Sequence, residues 1–269
     1  MSKGTKRGSP GAEEEKSPLA NVELSDDDAK KLTDIQRDLA RAELILERQA
    51  QATLRPVYEK RRAVTKKIPN FWPVALMNHT LVGYHAQHSV DQTALTYLED
   101  IWVEKDPKEH RCFTIEFHFK ENPYFSDRVL KKEYSFIPSP ASENETPDEH
   151  GITDSMLDFS WERDVKISAN KIDWKGTDKA LTKIHPRVLG DDNEDLVEPG
   201  SFFNFFEHDI DPSDIGVIIA NEVFPEAIEY FLGNVSGDSD DEDDEDSEDE
   251  DDDAAEIDLE KPRPKKQKV

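Results

Sequence analysis

The sequence predicts an α+β protein: a long N-terminal helix, then a four-stranded antiparallel sheet backed by helices, set between charged terminal segments. Three observations carry this. No glycine occurs from Ala29 to about Lys67, where Leu32, Ile35, Leu39, Ala42 and Leu46 recur at spacings of three and four and draw one apolar seam down a helix. Phe113, Ile115, Phe117 and Phe119 alternate with Thr114, Glu116, His118 and Lys120, the period of a strand with one buried face. After Gly233 the composition turns abruptly to aspartate and glutamate.

The elements follow in order. Residues 1–24 are rich in Ser, Gly, Pro, Lys and Glu and read as a disordered arm. Ser25 before Asp26, Asp27 and Asp28 is a helix start, a hydroxyl cap with acids on the positive end of the helix dipole. The helix is expected over 25–67, with Pro56 kinking or locally opening it. At ~1.5 Å per residue, forty residues make a rod of about 60 Å. An apolar stripe on so long a rod needs a partner. A second copy of the chain is the reading favoured here, and packing along the helix's own domain is the alternative. Two prolines in Ile68-Pro69-Asn70-Phe71-Trp72-Pro73 close the rod, and residues 74–98 read as short helices.

Strands are expected around Ile101-Trp102-Val103, over Phe113–Phe119, along Leu130, Tyr134 and Phe136, and at Ile172 and Trp174. Short turns between them, such as Glu121-Asn122-Pro123, argue for an antiparallel sheet with one solvated face. Residues 137–170 and 176–200 read as polar, mobile connections. The aromatic cluster Ser201-Phe202-Phe203-Asn204-Phe205-Phe206 and two short helices between Pro212 and Leu232, broken near Pro225, are expected to cover the buried face.

Charge narrows the function classes. The chain carries −27, and 17 acids with no Lys or Arg lie in residues 234–260, while residues 261–269 hold five bases. Residues 1–233 still carry −15. Such a chain repels nucleic acid and attracts basic partners, which excludes direct or sequence-specific nucleic-acid binding through a basic face. A single cysteine, Cys112, excludes an intramolecular disulfide or a Cys-based zinc site. Nothing resembles a signal peptide, and no apolar run approaches the ~20 residues of a membrane span. A soluble, intracellular chain is expected, with no membrane partner.

Catalytic patterns fail. HExxH, GxSxG, the Walker A loop and the dinucleotide GxGxxG are all missing. His85 and His88 could share a helical face, but no third ligand is in view. Asp209, Asp211 and Asp214 suggest a calcium loop, yet its glycine position is Asp214 and its final ligand position is Ala220. No enzyme, cofactor or metal is expected.

Three segments carry a resemblance: Lys60-Arg61-Arg62 through Lys67-Ile68-Pro69-Asn70-Phe71-Trp72 with Asn78-His79; Glu121-Asn122-Pro123-Tyr124-Phe125 with Val129-Leu130 and Lys132-Glu133; and Ser201-Phe202-Phe203 running on to Pro225 and Tyr230-Phe231-Leu232. Their order and spacing over residues 25–233 resemble the nucleosome assembly protein family, in its SET/template-activating factor branch. The resemblance implies a non-enzymatic, nuclear histone chaperone. It would be a homodimer paired through residues 25–67, with Leu32, Ile35, Leu39, Ala42 and Leu46 as the seam, and with residues 68–233 forming an "earmuff" histone-binding domain. It implies core histones as partners and a histone-contacting surface at Asn204, Glu207 and His208, with Asp209, Asp211 and Asp214 beside them. The side chains at the first three differ from the family's commoner hydroxyls. The branch is also associated with inhibiting a protein phosphatase and with modulating histone acetylation, so a phosphatase or a histone acetyltransferase is a further partner it implies.

The tail reads as a counter-polyanion for such a partner, with Asp238, Asp240, Asp241, Glu242, Asp243, Asp244, Glu245 and Asp246 at its heart. Lys261, Arg263, Lys265, Lys266 and Lys268 match a short basic nuclear-import signal, consistent with a nuclear protein that shuttles through the cytoplasm.

Overall fold

The computed structural model describes residues 24–107, 109–138, 145–190 and 196–235. The chain divides into two units, Met1–Val235 and Ser236–Val269. The second unit, with the named acids of the tail and the basic residues 261–268, lies outside the described residues, as does the arm 1–23.

Helix α1 spans Asp26–Thr65, close to the range expected. Ser25 caps it, its Oγ accepting from the Asp28 N–H at 3.2 Å. Pro56 lies inside α1, which spans Asp26–Thr65 as one helix. Contacts on either side of the proline hold the rod: Arg55 pairs with Glu104 on two bonds of 2.5 and 3.0 Å. Arg61 lies over the rings of Tyr58, Trp72 and Phe224 at 4.6, 5.6 and 4.5 Å. Tertiary contacts of this kind override a local propensity cost.

Three short helices follow: α2 (Phe71–Met77), α3 (Thr80–His85) and α4 (Ser89–Leu95). Strands β1 (Leu98–Lys105), β2 (Phe113–Phe119) and β3 (Val129–Phe136) pair antiparallel in sequence order. Along β2 the phenylalanines and Ile115 are buried and the residues between them half-buried, as the alternation predicts. The β2–β3 turn is tied by Asn122, whose Oδ1 accepts from the N–H groups of Tyr124 and Phe125 at 2.9 and 3.0 Å. That is the physical reason for an Asn before this proline.

The fourth strand is not where the sequence reading put it. Residues 154–157 and 161–164 form helical turns α5 (Asp154–Leu157) and α6 (Trp161–Asp164), and β4 (Val165–Ile167) pairs with β3, completing the order β1-β2-β3-β4. Ile172 is buried, but Trp174 makes only an isolated bridge with Phe125. Three residues are too short for a periodicity to register, which is why β4 escaped notice. The stretch 176–200, expected as a plain connection, contains α7 (Leu181–Ile184) and a hairpin of β5 (Val188–Leu189) and β6 (Leu196–Glu198).

The buried face of the sheet is covered by α2, α8 (Asn204–Glu207), α9 (Ile215–Ile218) and a π-helical turn over Ile219–Val223, and α10 (Ala227–Leu232) packs on α2, with Phe231 stacked on Phe71 at 4.8 Å. The break near Pro225 falls where expected. Phe202, Phe203, Phe205 and Phe206 are buried, and Phe206 meets the ring of Phe117 edge-on at 5.1 Å. Ser201 donates to the buried carboxylate of Asp91 at 2.7 Å, which also accepts the Phe202 N–H at 2.9 Å. This clamp seats the aromatic cluster on the end of α4.

Candidate functional site

Two surfaces of the body stand out, and both follow from how α1 and β3 are placed.

The first is a face of α1. At 3.6 residues per turn, Leu32, Ile35, Leu39, Ala42, Leu46, Leu54, Val57 and Val64 share about a third of the helix circumference. All are exposed, from 38% at Leu54 to 63% at Leu46 where the fraction is given. On the opposite side runs an arginine stripe, with Arg41, Arg48, Arg55 and Arg62 every seventh residue and Arg37 in line. This stripe binds α1 to its own body. Arg37 pairs with Asp154 at 2.9 Å, Arg41 with Asp148, Arg48 donates to the His150 carbonyl at 2.7 Å, and Arg62 pairs with the buried Asp100 at 2.5 Å. Leu44, between these arginines, is buried. The helix thus packs on its own body through the arginine face and leaves the apolar face exposed. The arginines, like the apolar seam, recur at a spacing legible in the sequence, every seventh residue from Arg41 to Arg62. Near the end of α1, Val57, Val64 and Ile68 continue into a groove with Ile228, Phe231 and Leu232 of α10.

The second surface surrounds residues 207–214. Lys132 is fully buried on the core face of β3, in line with Leu130 and Tyr134. Its ammonium donates to the Ser168 carbonyl at 2.9 Å and to the His208 carbonyl, so it straps the chain after α8 to the sheet. Burial pushes this lysine down to about 8, with Asp211 opposing the shift. Asp211 accepts from the Tyr134 hydroxyl at 2.5 Å and from the N–H groups of Ile215 and Gly216 at 3.1 and 2.8 Å. A Cβ on Gly216 would stand 2.0 Å from the Tyr134 oxygen, so only glycine fits there. Glu207 accepts from the Ile172 N–H and the Trp174 indole at 3.1 and 3.2 Å.

These partners sort the six expected surface residues. Asn204, expected on the surface, is 1% exposed, and its amide donates to the carbonyls of His185 and Pro199 at 3.0 and 3.3 Å, so it ties loops together. Glu207, His208 and Asp211 are half-buried and engaged internally. Asp209 and Asp214 are exposed. Asp214 sits in the left-handed region at φ 52°, its carboxyl raised by burial and then by the neighbouring Asp211.

Asp209 and Asp214 face a cleft of about 450 Å³ whose other walls are Tyr134, Ile137, Trp161, Glu162, Arg163 and strand β4. Trp161, Glu162 and β4 were not expected at the site, because nothing local in the sequence marks a short strand delivered by a helical turn. Among the described residues no group of three or more His, Cys, Asp or Glu could hold a metal ion, and no helix is long and apolar enough to cross a membrane.

Comparison with known proteins shows the family and the fold. The model of the family described as Nucleosome assembly protein (NAP) matches residues 29–234. The chain is 29% identical to Protein SET of Drosophila melanogaster over 180 residues, which are 66% of this chain and 60% of that protein, so it spans less than two thirds of that relative. It is 30% identical to NAP1-related protein 1 of Arabidopsis thaliana over 238 residues, covering 81% of this chain and 83% of that one. Among solved structures it is similar to the malaria parasite Nucleosome Assembly Protein, with TM-score 0.54 and 23% identity over 77% of this chain and 91% of that chain. Ccp1 is similar too, with TM-score 0.55 and 22% identity over 79% and 98%. At these identities the structural likeness establishes the fold.

Proposed function

This chain belongs to the nucleosome assembly protein family, and from that membership we propose that it is a non-enzymatic histone chaperone acting in nucleosome assembly. The observation that carries the reading is the family match over the whole folded body, joined to a net charge of −27. Core histones are strongly basic and collapse onto DNA when unprotected. An acidic body offers them competing anions, so that they exchange between protein and DNA without irreversible precipitation.

The parts take distinct roles in this reading. The uncovered face at Leu32, Ile35, Leu39, Ala42 and Leu46 pairs with a second copy of the chain, because exposed apolar side chains along a rod gain from mutual burial. The exposed acids Asp209 and Asp214 supply part of the histone-docking surface, while Glu207, His208 and Asp211 shape it from within. The segment 234–260 raises the local density of negative charge, and Lys261, Arg263, Lys265, Lys266 and Lys268 direct nuclear import.

The test is a titration of labelled core histones with the full chain and with a variant lacking residues 234–260, near physiological salt. Tight, saturable binding that largely survives the deletion is expected. Binding that disappears with the tail, or that polyglutamate matches, defeats the reading of a specific folded site.

A further inference from the structure

Resting on that reading, we propose that β4 is an open sheet edge that captures an extended lysine- or arginine-rich peptide, such as the flexible terminal segment of a histone, as a fifth strand. The ladder itself points there. β3 and β4 pair Tyr134 with Ile167, Ser135 with Lys166 and Phe136 with Val165. Bonds from the Ile137 N–H to the Asp164 carbonyl (2.8 Å) and from the Ser168 N–H to the Glu133 carbonyl (2.9 Å) set the phase. Hydrogen-bonded pairs alternate in an antiparallel ladder, so Lys166 turns its backbone toward β3 while Val165 and Ile167 turn theirs outward. Among the described residues no hydrogen bond reaches the Ile167 N–H, the Ile167 carbonyl or the Val165 carbonyl, while the Val165 N–H follows directly on the last turn of α6.

The surroundings select the occupant. On the side shared with Tyr134, the cleft presents the exposed carboxylates of Asp209 and Asp214, with Glu162 on its wall. Trp161, stacked on Tyr134 at 6.1 Å, gives an apolar wall for the stem of a lysine or arginine. Two cations also border the cleft: Arg163, already held by Asp164 at 2.8 Å, and the exposed Lys166, which leaves the strand on the side opposite Tyr134. A bound strand therefore favours basic residues at every second position and uncharged residues between them. Pairing of two β4 edges is opposed, since it would bring Lys166 against its own copy. At about 3.3 Å per residue, the three residues of β4 register a short peptide, so affinity comes from a few backbone bonds and charge together.

The experiment uses the full chain and a labelled peptide with lysine at alternate positions and threonine between. Two further peptides carry backbone N-methyl groups, on the lysines only or on the threonines only. Each methyl set blocks one edge of the peptide and leaves its charge intact. One set is expected to weaken binding about tenfold, the loss of one or two backbone hydrogen bonds, and the other to change it less than about twofold. Ile167→Pro removes an outward N–H while sparing the bonds to β3, and should reproduce the loss for the unmodified peptide; Ile167→Ala, which loses the same core packing but keeps the N–H, should bind that peptide within about twofold of the parent chain. Equal binding of both methylated peptides, or no saturable binding near physiological salt, overturns the edge proposal. Core-histone binding on the same samples separates the two readings. Histone affinity retained without edge selectivity sinks the fifth strand alone, whereas a full chain that binds no histone sinks the chaperone reading.

Discussion

His85 closes α3 with its imidazole buried and, among the described residues, no hydrogen-bond partner for its Nε2. Burial, reinforced by the positive Arg187 and opposed by Asp211, lowers it to about 4. The unfolded chain takes up this proton below about pH 6.5, the folded protein only near pH 4. The unfolded state thus binds more protons in that window, and stability falls as pH drops from about 6.5 to 4, by at most about 3 kcal/mol. A His85→Leu variant should lose that slope, as read from urea unfolding at pH 7, 5.5 and 4.5; an identical slope in both proteins would refute the assignment. At this scale the sequence was partly legible. The alternation that placed Tyr134 and Leu130 inside also places Lys132 inside, but a lysine is read as exposed by default, and only the facing carbonyls of Ser168 and His208 make its burial tolerable. The same default misled for Asn204, a polar residue in a motif whose amide is consumed by two backbone carbonyls.

At the scale of elements, α1 shows how one helix serves two interfaces. Its arginine stripe is satisfied by carboxylates and carbonyls of its own body, and its apolar stripe points the other way. Leu39→Asp places a charge in the middle of the uncovered face and should convert a dimer to a species of the 30.8 kDa chain mass in sedimentation equilibrium, with the helix content kept by the arginine contacts. An unchanged mass would defeat the pairing. Both stripes are local periodicities, so both can be found in a sequence. The placement of β4 cannot, because three residues acquire strand geometry only from the β3 edge beside them. The expected strand at Ile172 and Trp174 failed for the complementary reason. Ile172 is buried and Trp174 packs on Phe125 at 5.7 Å, but the Ile172 N–H bonds to Glu207 instead of a ladder partner.

For the whole molecule, charge is the organising quantity. Removing residues 236–269 should leave the unfolding free energy of the body within about 1 kcal/mol, since the folded core closes within residues 26–235. It should also make histone affinity less steeply dependent on salt, because fewer counterions are exchanged. Calorimetry and a salt titration check the two parts; a body that unfolds on truncation contradicts the first. The sequence by itself determined the long capped helix, the three long strands, the aromatic cover of the sheet and the separation of an acidic body from a more acidic tail. Each of these is written in a composition or a period that local physics enforces. Only the tertiary structure decided which polar residues stay on the surface, where the sheet ends and what its free edge faces. Those depend on groups far apart in the chain, such as Lys132 with His208 or Tyr134 with Asp211, meeting in space.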